Sequence, residues 1–137
     1  MIGLVIATHA GLAAQLLEAA QRIVGPVAHA QTLCMDRASD PEVLVGILSE
    51  MIDAVGCDGD GVLVMADMFG GTPANLAARF LPESGVEVIN GVNLPMVLKF
   101  TSSRETMSLA QLTLFLQDYA RKSIVVSREL LMGAKEN

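Results

Sequence analysis

The sequence contains no tryptophan, and aromatic residues fill only 4% of its 137 positions. A surface that stacks single-stranded nucleic acid needs aromatic faces along a basic groove. Basic charge is also short: the net charge is −6, so the footprint that phosphate backbones require is missing. There are two cysteines, Cys34 and Cys57, too far apart for a CxxC or zinc pattern. They read as small buried thiols of a reducing compartment. Met1 to Leu17 carries no Asp, Glu, Lys or Arg, yet it lacks the basic start of a signal peptide. A membrane span needs about 20 uninterrupted apolar residues. Here Gly3, Thr8, His9 and Gly11 intervene, and Glu18 and Arg22 follow. The stretch predicts a buried strand entering a helix, in a cytoplasmic protein.

Several fingerprints are absent as well. No GxxxxGKS, GxxxxGKT or GxGxxG marks a nucleotide site, and no GxSxG marks a hydrolase elbow. A two-component receiver would need an acidic pair after its first strand, where this chain has Thr8-His9. Asp58 and Asp60 lack the spacing of a calcium loop and read as solvated turn residues. His29 reads as a strand or loop residue. We expect no metal and no cofactor. Internal repeats, linkers and low-complexity segments are missing too, so residues 1–137 are expected to form one domain.

What is present is 52% hydrophobic sequence organised as alternating strands and helices. Ile2 to Ala7 is a continuous apolar run, as a strand covered on both faces requires. A helix follows, with Leu12, Leu16, Ala19, Ala20 and Ile23 on one face, and stops at Gly25-Pro26. Val27 to Leu33 predicts a second strand. Ser39 and Glu42 stand at capping-box spacing before a helix with Val43, Leu44, Ile47, Leu48, Met51, Ile52 and Val55 inward. Val62 to Ala66 is the third strand and Val86 to Ile89 the fourth. A short helix over Met96 to Thr101, with an asparagine cap candidate before it, precedes a longer one over Met107 to Arg121. The longer helix should turn Leu109, Leu112, Leu116 and Tyr119 inward. Ser123 to Ser127 predicts a last strand, and Arg128 to Asn137 a short, more polar tail. The eight methionines read as core filler.

This alternation predicts an α/β fold: an open, mainly parallel four-stranded sheet with helices on both faces, flavodoxin-like, in the order 2-1-3-4. The order reverses between strands 1 and 3, and ligands bind in the crevice there. His9 ends strand 1 and Asp67 ends strand 3. Adjacent strands lie about 4.8 Å apart, so imidazole and carboxylate come within reach of each other. After Asp67, Gly70-Gly71 allows a sharp turn, and Thr72-Pro73 starts a helix with a hydroxyl cap and an early proline. A neutral imidazole held at one nitrogen by Asp67 is a nucleophile toward phosphorus, and the N–H groups of Gly70, Gly71 and Thr72 form a cradle for phosphoryl oxygens.

Three segments, IGLVIATHAGLA from Ile2, VLVMADMFGGTPANLA from Val62 and VINGVNLPMVL from Val88, together resemble the IIA component of the mannose family of the bacterial phosphoenolpyruvate-dependent sugar phosphotransferase system. The resemblance covers nearly the whole chain. It implies that His9 is phosphorylated, on Nε2, with Asp67 bonding Nδ1. It implies the phosphocarrier HPr as donor and a IIB component as acceptor, with membrane IIC and IID components involved only indirectly. No IIB domain follows here, so the acceptor is expected to be a separate protein. It also implies a homodimer that exchanges a carboxyl-terminal antiparallel strand, for which Ile124 to Val126 is the candidate. Phe69 stands where many members carry tryptophan. Two other functions fit the same residues: a regulatory protein phosphorylated by HPr, and a non-catalytic module that holds a small anion.

Overall fold

The computed structural model describes residues 1–133. Its elements run β1 (Gly3–His9), α1 (Leu12–Val24), β2 (Ala30–Met35), α2 (Pro41–Val55), β3 (Val62–Ala66), α3 (Thr72–Ala78), β4 (Val86–Asn90), α4 (Leu94–Ser103), α5 (Leu109–Lys122) and α6 (Ser127–Met132). The four strands are parallel in the order β2-β1-β3-β4, as expected. Leu4 pairs with Leu63 and Ala7 with Ala66, the last residue of β3, so β1 runs two residues further, to His9.

The strand period of two separates the core into two layers. Leu4, Ile6, Leu63 and Met65 face one way, onto Ala13 and Ala20 of α1, Val97 and Phe100 of α4, and Leu112 and Leu116 of α5. Val5, Ala7, Val62 and Val64 face the other way, onto Leu44, Leu48 and Ile52 of α2 and Leu76 and Ala77 of α3. Both central strands are therefore covered on both faces, which is why their sequences are unbroken apolar runs.

Local signals set most boundaries. Asn93 caps α4 by accepting from the Met96 N–H at 3.0 Å, and its Nδ2 donates to the Ser123 hydroxyl at 3.2 Å, joining the start of α4 to the end of α5. Ser108 and Gln111 form a reciprocal capping box on α5, an S-x-x-Q pattern that our reading of the sequence passed over. The α2 cap is Asp40, whose carboxylate accepts from the Glu42 N–H, while Ser39 donates its hydroxyl to Asp36 instead. Thr72 is the first residue of α3, and Gly71 is its cap, without a side-chain bond.

The structure corrects several other expectations. β2 begins three residues later than predicted, and as an edge strand it buries only one face. Leu33 and Met35 point inward, and Cys34 between them is exposed. Cys57 is exposed as well, in the turn after α2. Leu12, Ile23, Val43 and Ile47 lie outside, because the buried stripes of α1 and α2 centre on Ala13/Ala20 and Leu44/Leu48. Tyr119 also faces out: it stacks on Phe115, with the Lys99 ammonium 5.0 Å above its ring. Met68 is exposed and fills no core. Ile124 to Val126 form no strand in this single chain. They are exposed, and Val126 has extended dihedrals and precedes α6. Of the expected tail, residues 134–137 lie outside the described residues.

One buried polar group fastens the amino end of the sheet. Arg104, just after α4, donates from Nε and Nη2 to the Ile2 carbonyl (3.0 and 2.7 Å) and from Nη1 to the Ala28 carbonyl (2.9 Å). Its Nη2 also reaches the His29 carbonyl at 3.3 Å, and its guanidinium lies 4.8 Å above the Phe100 ring. Burial lowers the Arg104 pKa from its ordinary value, but the fork satisfies carbonyls that would otherwise lose their donors. Arg104→Leu should therefore destabilise the protein by about 3 kcal/mol, read from urea unfolding, with Arg104→Lys recovering only part. A loss below about 1 kcal/mol would show that the carbonyls find other donors.

Candidate functional site

β1 changes character at its last residues. Gly3 to Thr8 are buried, and His9 emerges at the carboxyl end with 49% of its side chain exposed. Thr8 is held below the surface because its hydroxyl accepts the Ala13 N–H at 2.7 Å. That bond caps α1, whose nominal cap, Gly11, has no side chain to do so. Ala10 takes a left-handed conformation (φ 50°), and its N–H donates to the Met35 carbonyl at 2.7 Å. The backbone on both sides of His9 is thus pinned, to α1 and to the end of β2.

Asp67 follows β3 directly, with 13% of its side chain exposed. Its Oδ2 lies 2.8 Å from His9 Nδ1 and accepts the His9 backbone N–H at 3.1 Å. Burial pushes the Asp67 pKa up, but hydrogen bonds from the His9 ring and backbone outweigh it and leave the pKa below its ordinary value. The carboxylate is therefore an acceptor at neutral pH. A neutral His9 ring facing it must carry its proton on Nδ1, which leaves a bare lone pair on Nε2. Asp67 Oδ1 is buried without a hydrogen-bond partner, so only one oxygen of the carboxylate is satisfied.

The other side of the ring meets the loop after Asp67. Gly70 has φ 90°, a conformation that favours glycine. At Gly71 the constraint is space: a β-carbon there would lie 2.7 Å from His9 Cε1 and 3.2 Å from Nε2. The Nε2 edge thus rests beside the backbone that opens α3. The first N–H groups of a helix have no acceptor within it, and no side chain caps these. Met68 and Phe69 stand exposed in the same loop, Phe69 at 83%. Thr72 is exposed at the first turn of α3. The sequence-derived set His9, Asp67, Gly70, Gly71 and Thr72 thus lies at the carboxyl ends of β1 and β3. The direct contacts within it are His9 with Asp67 and His9 with Gly71. The anchoring role of Thr8 was missed. Its only signal in the sequence is a hydroxyl four residues ahead of a helix that lacks a capping side chain.

This geometry sits inside a recognised family. The family model described as PTS system fructose IIA component matches residues 3–116. The chain belongs to the mannose/fructose-type IIA family of the phosphotransferase system. Over 75 residues it is 40% identical to the PTS system fructose-specific EIIA component of Bacillus subtilis, covering 54% of this chain and 51% of that protein. Over 105 residues it is 30% identical to the PTS system mannose-specific EIIAB component of Escherichia coli, covering 76% of this chain and 32% of that protein. The chain thus spans about half the length of the first relative and about a third of the second. Among solved structures, the PTS IIA protein associated with the fucose utilization operon of Streptococcus pneumoniae superposes with a TM-score of 0.83. The two are 24% identical, over 94% of this chain and 95% of that one. That likeness speaks to the fold, including the strand order that brings His9 to Asp67.

For this IIA chain the tightest test of the site is Gly71→Ala. The added methyl must displace the His9 ring, because its nearest neighbour is the ring itself. Long-range nitrogen–proton correlation spectra should show a single Nδ1–H form in the wild type and a mixture of tautomers in the variant. Identical ring spectra would mean that the α3 backbone does not hold the imidazole.

Proposed function

We propose that this IIA component carries a phosphoryl group on His9 Nε2 between two proteins of the phosphotransferase system. The observation that supports this most directly is the 2.8 Å contact between His9 Nδ1 and Asp67 on a half-exposed ring. In this reading the Nε2 lone pair attacks the phosphorus of a phosphohistidine on HPr. The donor N–P bond breaks as the new one forms, and the proton stays on Nδ1, hydrogen-bonded to Asp67. Asp67 keeps one tautomer and steadies the positive charge that develops on the ring. Backbone N–H groups of Gly70, Gly71 and Thr72 hold the phosphoryl oxygens, so catalysis consists of positioning and electrostatics. A IIB component then takes the group in a second transfer of the same kind. Protein partners account for the exposed Met68 and Phe69, which give the site an apolar rim.

Among the described residues no helix is long and apolar enough to cross a membrane. We place the protein in the cytoplasm, with the membrane components downstream of it. The relatives carry fructose, mannose and sorbose in their names, so what they share is the carrier and not the sugar.

The proposal is tested with phosphoenolpyruvate, Enzyme I and HPr, reading intact mass and acid lability. Wild type should gain one acid-labile phosphoryl group and His9→Ala none. Asp67→Ala should fold and react more slowly by roughly ten- to a hundredfold, as losing the orienting partner of a functional histidine does. No gain on wild type from a charged, cognate HPr would overturn the reading in favour of an anion-binding module.

The same reading includes a homodimer. Ile124 to Val126 are exposed, Ile124 at 78%, and β4 is an edge of the sheet. Three consecutive β-branched residues, the last of them with extended dihedrals, suit an added antiparallel strand. Sedimentation should give a dimer at micromolar concentration, and Val125→Pro should weaken it. A wild-type monomer would remove strand exchange.

A further inference from the structure

At the amino end of the sheet, a second group of side chains comes together that the carrier chemistry does not use. His29 stands just before β2, and Cys57 and Asp58 stand in the turn between α2 and β3. One ligand atom from each of the three lies within 4.8 Å of the other two. His29 Nδ1 is 3.6 Å from Asp58 Oδ2, and Cys57 Sγ is 3.9 Å from Asp58 Oδ1. We propose that His29, Cys57 and Asp58 form a binding site for a divalent transition-metal ion of the zinc type.

The argument starts at His29 Nδ1. It is shielded from solvent and has no hydrogen-bond partner. At 3.6 Å, Asp58 is too far to satisfy it directly. The backbone of His29 is fixed: its carbonyl accepts from Leu4 N–H at 3.0 Å and from Arg104 Nη2 at 3.3 Å. The imidazole is therefore presented from a rigid frame, with one unused nitrogen 3.6 Å from the Asp58 carboxylate. A tetrahedral zinc ion with bonds of about 2.0–2.3 Å needs its ligand atoms about 3.3–3.6 Å apart. The 3.6 and 3.9 Å separations run to the two different oxygens of Asp58, and the three ligand atoms span up to 4.8 Å, so a shared ion draws the exposed Cys57 and Asp58 side chains in by about 1 Å. Imidazole, thiolate and carboxylate together select zinc or cobalt over magnesium or calcium. Three protein ligands leave a fourth position for water.

Two cations face the cluster. The Met1 ammonium bonds Asp58 Oδ2 at 2.8 Å and Asp60 Oδ2 at 2.7 Å, so Asp60 can keep it when Asp58 turns to a metal. Arg104 is committed to backbone carbonyls. Metal entry displaces the Cys57 thiol proton into solvent, giving the thiolate–metal bond and one free proton. The site lies some five residues of strand from His9, or about 17 Å. It would join the entry to β2 to the entry to β3, bracing the sheet rather than touching the phosphoryl group.

The test is a titration of the untagged, reduced, full-length chain with cobalt(II). One equivalent should produce the near-ultraviolet sulfur-to-cobalt charge-transfer band, and zinc should bleach it. Cys57→Ser should abolish the band, and His29→Gln and Asp58→Asn should each weaken binding at least about tenfold. Cys34→Ser, which alters the other exposed thiol, should change nothing. Zinc should also raise the wild-type melting temperature and leave that of Cys57→Ser unmoved. The absence of a band at millimolar cobalt would overturn the proposal. So would a band that survives Cys57→Ser, or one that is indifferent to His29→Gln.

Discussion

A single carboxylate oxygen organises the carboxyl end of this sheet. Asp67 Oδ2 receives both the ring and the backbone N–H of His9, at 2.8 and 3.1 Å. That double contact depends on β1 and β3 being neighbours, with His9 two residues past the partner of Ala66 and Asp67 one residue past Ala66. They are neighbours only because the chain leaves β1, builds β2 on its outer side, and returns across the sheet through α2. Strand order is thus part of the chemistry. Any arrangement that placed β2 between β1 and β3 would hold histidine and carboxylate about 10 Å apart, two strand spacings rather than one.

The pairing also explains why the surroundings are so constrained. A largely buried carboxylate with one unsatisfied oxygen is an unfavourable object; burial pushes its pKa up, and hydrogen bonds from His9 to the other oxygen bring it below its ordinary value. The histidine in turn needs a fixed backbone, supplied by Thr8 below it, Ala10 beyond it and Gly71 beside it. Each of these contacts orients the ring without covering it. A buried strand ending in a half-exposed histidine gives an accessible ring on an immobile frame.

How much of this could be read from the sequence follows from the range of the interactions. The two central strands, the strand order and the His9–Asp67 pairing were legible, because unbroken apolar runs and right-handed crossovers leave little choice. So was the glycine pair, although its reason changed: Gly71 is there for the imidazole and not only for the turn. The errors came from contacts that no local pattern announces. Arg104 reaches carbonyls 75 to 102 positions away. Helical periodicity identified apolar stripes but not their centre, so Leu12, Ile23 and Tyr119 were assigned to the wrong side. Cys34 was misplaced because only an edge strand leaves one face open, and the expected run of β2 was set too early. The SIVVS segment has the composition of a strand, but a strand needs a partner, and within one chain none is in place.

The two ends of the sheet carry different kinds of histidine, and the contrast shows what position does to one side chain. His9 has a bonded Nδ1 and a half-exposed ring; His29 has a shielded Nδ1 that nothing bonds. At the carboxyl end of a parallel sheet, strand termini and helix starts converge around a crevice, so a histidine there gains a carboxylate and backbone N–H groups. At the amino end, helix ends and turns converge, and the histidine meets turn residues instead, here a thiol and a carboxylate. The first environment fixes one ring nitrogen and leaves the other accessible. The second leaves a shielded nitrogen beside turn residues. The central strands β1 and β3 between them are buried, so what surrounds each histidine is set by the loops at its own end of the sheet.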